Sequence, residues 1–468
     1  MLLHIAKKEL KEALRDSRFH FMAGLVVILL LFSMVVSWNN YQKINKEFVE
    51  AATTARQQWD TQKPKNPHSA AHFGTFAFKP IQPLSLIDNG LDKYLGVSVF
   101  LEGHKQNNAE YKQISEQNDF ARFAELTPAF VFTYLMPLLI ILLAFNVFTQ
   151  EKENGTLRLL LSQGVSNFQI GFGKILGIYM VLGLLLVPIF ALGVVFILMS
   201  NYQIADFLSY GMMLLSLIFY YTIFINVAIG VSAIAKSSNV ALISLLGFWI
   251  MSALLVPKIN ANLSKNIYKT PSSSDYQAEI TENLEKGVDG HNPFSKQSKI
   301  FKDSVLKANK VDSVHKLPFN YMGLSMQAGE EHETVVYAKA LKKLNDIYLS
   351  QLKVHELSSV FSPTILIKIL SMQFAKTDLQ AHYEFSRQAE NYRIALVRDL
   401  NYDFKDNAGK KGFSYISEDK DFFKKTIKFE YKSTVFGQIM QNVSITFLFL
   451  SFWVILSIFF VFISLKKL

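Results

Sequence analysis

Few residues of this sequence have the types and the spacing that catalysis or metal binding requires. The 468-residue chain has no cysteine, which excludes disulfides, thiolate metal sites and cysteine nucleophiles. His332 lies in the acidic run Glu330 to Glu333, and His382 lies two residues before Glu384, but neither group has the spacing of a recognised metal site. We therefore expect these residues to be solvated or interhelical polar groups, and we predict no catalytic, cofactor or metal site in this chain.

ATP hydrolysis within the chain would require a phosphate-binding loop of the form Gly-x-x-x-x-Gly-Lys-Ser/Thr. The pairs Gly173-Lys174 and Gly409-Lys410 lack the upstream glycine, and neither is followed by serine or threonine. The sequence therefore excludes ATP hydrolysis by a P-loop.

The segment from Gln150 to Lys174 combines charge, glycine turns and a short apolar stretch. It turns at Asn154-Gly155, and the stretch from Thr156 to Leu161 has a single charge, Arg158. Long apolar runs anchor both of its ends, so a push on this segment would move the flanking helices. This arrangement favours a contact with a soluble partner.

The composition predicts the elements that hold this segment. Half of the residues are hydrophobic and only 18% are charged, which is typical of membrane proteins. A hydrocarbon core requires about 20 apolar residues for each crossing helix. We predict six transmembrane helices, at residues 19–38, 128–149, 174–200, 207–235, 239–257 and 443–464.

The regions between these helices are predicted to be mainly helical. Residues 1–18 have apolar and basic residues on opposite helix faces, which predicts an amphipathic helix at the membrane interface. Residues 39–127 form a first extracytoplasmic region, residues 150–173 a cytoplasmic loop, and residues 258–440 a large extracytoplasmic domain with helical periodicity. The predicted fold class is therefore an all-α polytopic membrane protein.

The basic residues predict the orientation. Lysines and arginines near the helix ends lie before the first crossing, within the segment 150–174, at Lys236, and at Lys466 and Lys467. With six crossings, all of them fall on the side that the positive-inside rule assigns to the cytoplasm. Both termini are thus predicted to be cytoplasmic and both large regions extracytoplasmic. The net charge of +10 is then expected to face lipid headgroups, without a nucleic-acid partner.

Three features inside the crossings bear on mechanism. Their interiors have almost no ionisable residues, which disfavours coupling to an ion gradient. Pro137 and Pro188 are expected to kink their helices. Gly173 and Gly177 are four residues apart, a spacing that allows close helix packing. Energy is therefore expected to arrive from outside the chain, at the cytoplasmic segment.

The segment resembles the cytoplasmic loop between the second and third helices of ABC-2 type permeases. The resemblance rests on Glu151-x-Glu153-x-Gly155-Thr156-Leu157, followed by Leu160-Leu161-Ser162, Val165-Ser166 and Lys174, with Gly164 and Asn167 departing from the usual proline and arginine. It implies a coupling helix that seats in a groove of a separate ABC ATPase subunit, which would bind ATP and Mg²⁺. The resemblance also implies the residues that couple to the ATPase. Glu151 and Glu153 would present charge, and Gly155 and Thr156 would shape the turn. Leu157 and Leu160 would fill the groove.

A second resemblance covers the large domain. The stretches Leu317-Pro318-Phe319-Asn320, Ser362-Pro363, Thr377-Asp378 and Ala389-Glu390-x-Tyr392-Arg393 resemble a subgroup of these permeases with a large insertion before the last helix. This subgroup is similar to permeases assigned to multicopper-enzyme maturation. The resemblance implies an exporter subunit in a bacterial inner membrane, paired with a second permease copy or a paralogue.

Two other functions stay open on the sequence. In the first, the chain transmits force to a periplasmic partner and moves no substrate. In the second, which the uncharged crossings disfavour, it is an ion-coupled carrier.

Overall fold

The computed structural model describes residues 1–110, 112, 126–419 and 421–468, and nearly all of its regular structure is helical. The predicted all-α polytopic fold class is confirmed.

The two strands of the described residues are β1 (Thr75–Phe78) and β2 (Ser98–Leu101), which pair antiparallel. In chain order the described α-helices are α1 (Leu2–Ala13), α2 (Ser17–Asp60), α3 (Pro67–Phe73), α4 (Asp92–Leu95), α5 (Pro128–Phe130), α6 (Met136–Ala144), α7 (Thr149–Glu153), α8 (Thr156–Ser162), α9 (Asn167–Leu198), α10 (Ile204–Ile234), α11 (Ser238–Ile250), α12 (Val256–Ile267), α13 (Ser273–Leu284), α14 (Lys296–Ala308), α15 (Tyr321–Ser358), α16 (Pro363–Ala375), α17 (Leu379–Asn407), α18 (Phe422–Lys425) and α19 (Phe436–Lys466).

Within the described residues, six helical segments are long and apolar enough to cross a membrane. The shortest has 26 residues, which at 1.5 Å per residue exceeds the roughly 30 Å of a hydrocarbon core. The number of candidate membrane-spanning helices thus agrees with the six transmembrane helices that the sequence predicts. The six segments are α2, the continuous run Pro128–Glu153, α9, α10, the continuous run Ser238–Ile267, and α19.

Two of these segments contain a π-helical turn that ends two residues before a proline. The turns are Val131–Leu135, followed by Pro137, and Met251–Leu255, followed by Pro257. Proline has no N–H group, so it leaves a carbonyl of the preceding turn without its helical partner. Side chains of neighbouring segments donate hydrogen bonds to these carbonyls instead. The carbonyls therefore keep a hydrogen-bond partner within the apolar bundle. The donors are Tyr220 to Thr133 O at 2.9 Å, Tyr221 to Phe132 O at 3.1 Å, and Ser362 to Ser252 O at 2.6 Å.

Helix α10 lies at the centre of the membrane bundle. It packs against α19, α16 and α6, and many of its residues are buried. Helix α16 has 13 residues, too few to cross a membrane, and its apolar side chains are buried with the bundle core. Lys376, at the C-terminal end of α16, forms a buried ion pair with Asp206 of α10 at 3.0 Å. The domain before the last crossing is thus fixed to the bundle.

The described parts of the two large regions form one folded body outside the bundle. Helix α2 does not end with its apolar part but continues unbroken to Asp60. There Trp59 donates to Thr426 Oγ1 at 2.8 Å and Arg56 donates to backbone carbonyls of residues 423, 424 and 427. Helix α3 and the β1–β2 pair pack on α17. The first region therefore contributes part of the core of the large domain.

Helix α1 is amphipathic, as predicted, and it lies along the start of α9. Gly173 and Gly177 make this approach possible, because a Cβ atom at Gly173 would lie 2.7 Å from Ile5 Cβ and one at Gly177 would lie 2.6 Å from Glu9 Cβ. The close packing expected from this glycine spacing is present.

Candidate functional site

The segment between the second and third membrane helices folds as two short helices joined by glycine turns. Helix α7 ends at Glu153, and Gly155 has a φ of 76°, a left-handed conformation that favours glycine. Helix α8 follows, and a second left-handed glycine, Gly164, ends it. Ser166 and Gln169 then form a capping box at the start of α9. The predicted turn at Gly155 is therefore present, and the hydroxyl of Thr156 donates to the Glu151 carbonyl at 3.3 Å.

Four charged side chains join this segment to α1 and α9. Glu151 Oε1 accepts from Lys8 Nζ at 2.8 Å and lies 3.1 Å from Lys174 Nζ, and Lys174 also donates to Glu9 Oε1 at 2.7 Å. We call Lys8, Glu9, Glu151 and Lys174 the four-charge cluster. The Lys174 side chain is only 2% exposed. Burial alone would lower the pKa of Lys8, but the hydrogen bond and charge of Glu151 outweigh it, so that the pKa of Lys8 is raised.

A second set of contacts joins α7 to the turn between α10 and α11. The carboxylate of Glu153 accepts from the backbone N–H of Ser238 at 3.0 Å, at the N-terminus of α11. Thr149 Oγ1 lies 2.8 Å from Ser238 Oγ, and Lys152 donates to the carbonyl of Ala233. Helix α7 is therefore bound to four helices: α1, α9, α10 and α11.

Helix α8 has an inner and an outer face. Leu157 is buried against the bundle core and Leu160 is partly buried there. Arg158 is exposed, and Leu159 is 59% exposed. The resemblance implied that Leu157 and Leu160 fill a partner's groove and that Glu151 presents charge, but the structure directs all three toward the chain itself. The exposed side chains of α8 include Arg158 and Leu159.

All the pieces that the sequence assigns to the cytoplasm lie at one end of the bundle. The contacts above join α1, the segment 149–166 and the turn 235–237. The C-terminus joins them, because Asn167 Nδ2 donates to the carbonyl of Leu465 at 3.0 Å. Both chain ends are thus next to the candidate segment.

The two weak metal candidates of the sequence do not assemble. The ring of His332 contacts the carbonyls of Asn283 and Leu284, at 3.0 and 3.2 Å. Glu384 accepts hydrogen bonds from Arg387 and Gln388. A different set does converge: His68, His72, His104 and His291 offer ring nitrogens within 4.8 Å of one another. Sequence reasoning missed this set because its members come from three separate stretches, and only His68 and His72, four apart on α3, share a local pattern.

Comparison with known proteins gives two family matches and leaves the first and last crossings outside both. Residues 275–432, within the large outer body, match a domain of unknown function (DUF3526). No curated protein matches the chain. Residues 84–269, which contain the second to fifth crossings and the candidate segment, match the ABC-2 family transporter proteins, and this supports a permease subunit of an ABC transporter.

Proposed function

We propose that this chain is the membrane-spanning permease subunit of an ATP-driven ABC-2 type exporter in a bacterial inner membrane. It works with a separate ABC ATPase subunit, which binds ATP and Mg²⁺, and with a second permease copy or a paralogue. The observation that carries the proposal is the anchoring of α7, whose ion pairs at the buried Glu151 and whose hydrogen bonds join it to α1, α9, α10 and α11. A displacement of this one short segment is therefore delivered to several membrane helices.

The predicted coupling residues receive separate roles in this proposal. Glu151 and Glu153 are positioning residues, because their carboxylates are bound by groups of this chain. Gly155 and Thr156 shape the turn between α7 and α8. Leu157 and Leu160 fix α8 to the bundle, and its outer face, with Arg158 and Leu159, contacts the ATPase.

The test replaces an outward side chain of α8 without touching the bundle. Leu159→Asp should abolish the stimulation of ATP hydrolysis in the assembled complex, because it puts a carboxylate where an apolar contact is needed. A matched control is Val335→Asp in the outer body, where the side chain is 65% exposed. Val335→Asp should leave stimulation unchanged. Normal stimulation by the Leu159→Asp complex would contradict the assignment of α8 as the ATPase contact.

A second candidate function is force transmission to an extracytoplasmic partner without substrate movement. The unbroken α2 favours it, since one rigid element runs from the bundle to the contacts of Arg56 and Trp59 in the outer body. A structure of the copurified complex separates the two functions. A continuous polar cavity between two permeases supports export, and a sealed interface supports force transmission.

A further inference from the structure

We propose that the outer body binds one divalent late transition-metal ion, with Zn²⁺ the best match, through the Nε2 atoms of His68, His72, His104 and His291. Imidazole nitrogen is a preferred ligand of Zn²⁺, and a closed set of four protein ligands is typical of a structural site. The sequence alone predicted no metal in this chain; the convergence of these rings leads to the opposite proposal.

The spacing of the four nitrogens fits a tetrahedral ion. The Nε2 atom of His68 lies 3.2 Å from that of His72 and 3.4 Å from that of His291, which lies 2.8 Å from Nε2 of His104. Zn–N bonds of about 2.0–2.1 Å place tetrahedral nitrogens about 3.3 Å apart. The three measured distances are close to this spacing, and all four histidines offer ring nitrogens within 4.8 Å of one another.

The hydrogen bonds of His68 direct its lone pair into this cluster. Its Nδ1 lies 2.8 Å from Oδ1 of Asn401, whose amide nitrogen donates to Gln327 Oε1 at 3.2 Å. The oxygen of Asn401 is thus the atom that faces His68, so Nδ1 carries the proton and Nε2 is free to bind a metal. All three of these residues are buried, which fixes the ring.

His104 is oriented in the same manner by carboxylates. Its Nδ1 lies 2.9 Å from Glu333 and 3.1 Å from Glu330, so this nitrogen donates and Nε2 faces the other histidines. Carboxylate–histidine–metal arrangements of this kind orient zinc ligands. The backbone of His104 has a φ of 65°, uncommon for a residue with a side chain, and its N–H donates to Glu330 at 2.6 Å.

Glu330 and Glu333 could themselves form a three-ligand group with His104. The buried guanidinium of Arg393 lies 3.1 Å from the second oxygen of Glu330, so this carboxylate is already paired with a cation of the chain. We therefore assign both carboxylates to the outer shell of the four-histidine site. Their negative charge favours a divalent cation at the centre.

The four histidines are partly shielded from solvent, and one side of the cluster is open to an entering ion. His68 is 1% exposed, whereas His72 and His291 are exposed at the surface, so an ion can enter from one side. The ligands come from α3, from the turn after β2 and from the loop before α14. A bound ion would therefore cross-link the first outer region to the large domain.

The experiment uses the full-length protein in detergent, with any affinity tag removed and with metal stripped by a chelator. Titration with Zn²⁺ should give one ion per chain and raise the unfolding temperature. His72→Ala and His291→Ala remove exposed ligands and should each weaken binding by more than the roughly 10- to 100-fold that outer-shell changes cost. Glu333→Gln should weaken it only within that range. His332→Ala is the matched control and should bind as the unaltered protein does.

Three results would overturn the proposal. The first is no Zn²⁺ binding by the unaltered protein, which would leave the histidines joined by hydrogen bonds alone. The second is unchanged affinity in both His72→Ala and His291→Ala. The third is abolition of binding by Glu333→Gln while His72→Ala binds normally, which would place the ion at His104, Glu330 and Glu333. Tighter binding of Cu²⁺ or Ni²⁺ in titrations of the same variants would keep the site and change only its preferred ion.

Discussion

The ammonium group of Lys174 lies between two carboxylates at the end of the membrane bundle. It contacts Glu9 and Glu151, and Glu151 also accepts from Lys8. Removing one partner from a buried ion pair leaves an uncompensated charge, which costs roughly 3–5 kcal/mol. The four-charge cluster therefore has a large effect on how firmly α7 is held.

We predict that Lys174→Met lowers the free energy of unfolding in detergent by about 3–5 kcal/mol, because it leaves two carboxylates short of a cation. Denaturant unfolding measures this change. Lys11→Met is the control, since Lys11 is exposed on α1, and a change at such a position stays within about 0.5 kcal/mol. Equal effects of the two substitutions would show that the cluster does not stabilise the fold.

The four-charge cluster also shows how much of the candidate site can be predicted from single residues of the sequence. Charge and position marked Glu151 as a residue of the segment, but its partner Lys8 lies 143 positions earlier. No local pattern pairs two residues at that separation, so the sequence contained no sign of this contact, and the role of Glu151 toward an ATPase came from the family resemblance. The same reason separated His104 from His291, which are 187 positions apart.

Helices were predicted better than their contacts, because apolar run length and helical spacing are local signals. The six crossings and the turn at Gly155 follow from such signals. The length of α2 does not, because its polar half, which reaches Asp60, has no apolar run to mark it as one helix with residues 19–38. Gly173 and Gly177 indicated close packing, and the structure identifies the partner as α1.

Two glycines of α9 provide a matched test of the contact with α1. Gly177→Ala should destabilise the protein, because its Cβ atom would lie 2.6 Å from Glu9 Cβ and 3.1 Å from the carbonyl of Ala6. Gly183→Ala should stabilise it by roughly 0.5–1 kcal/mol, since a Cβ atom there has no neighbour within 4 Å and alanine favours the helix. Thermal unfolding measures both changes. Substitutions of the same sign and size would contradict the close contact.

At the scale of the whole molecule, the bundle has a small end and a large end. The small end contains both termini, α8 and the turn 235–237, and the large end holds the outer body. The basic residues before the first crossing and those at Lys236, Lys466 and Lys467 lie at the small end, which the positive-inside rule assigns to the cytoplasm. Contacts in the structure join these pieces, but their side of the membrane is a prediction from charge.

The absence of cysteine makes this prediction directly testable, because a single introduced cysteine is the only thiol of the chain. We expect a membrane-impermeant maleimide to label Val335→Cys and Ile300→Cys on intact spheroplasts, since both positions are exposed on the outer body. Ser162→Cys and Lys467→Cys should react only after permeabilisation, because they belong to the small end. Labelling of the second pair on intact cells would reverse the topology. It would also place α8 out of reach of an ATPase, and so contradict the proposed coupling role of this segment.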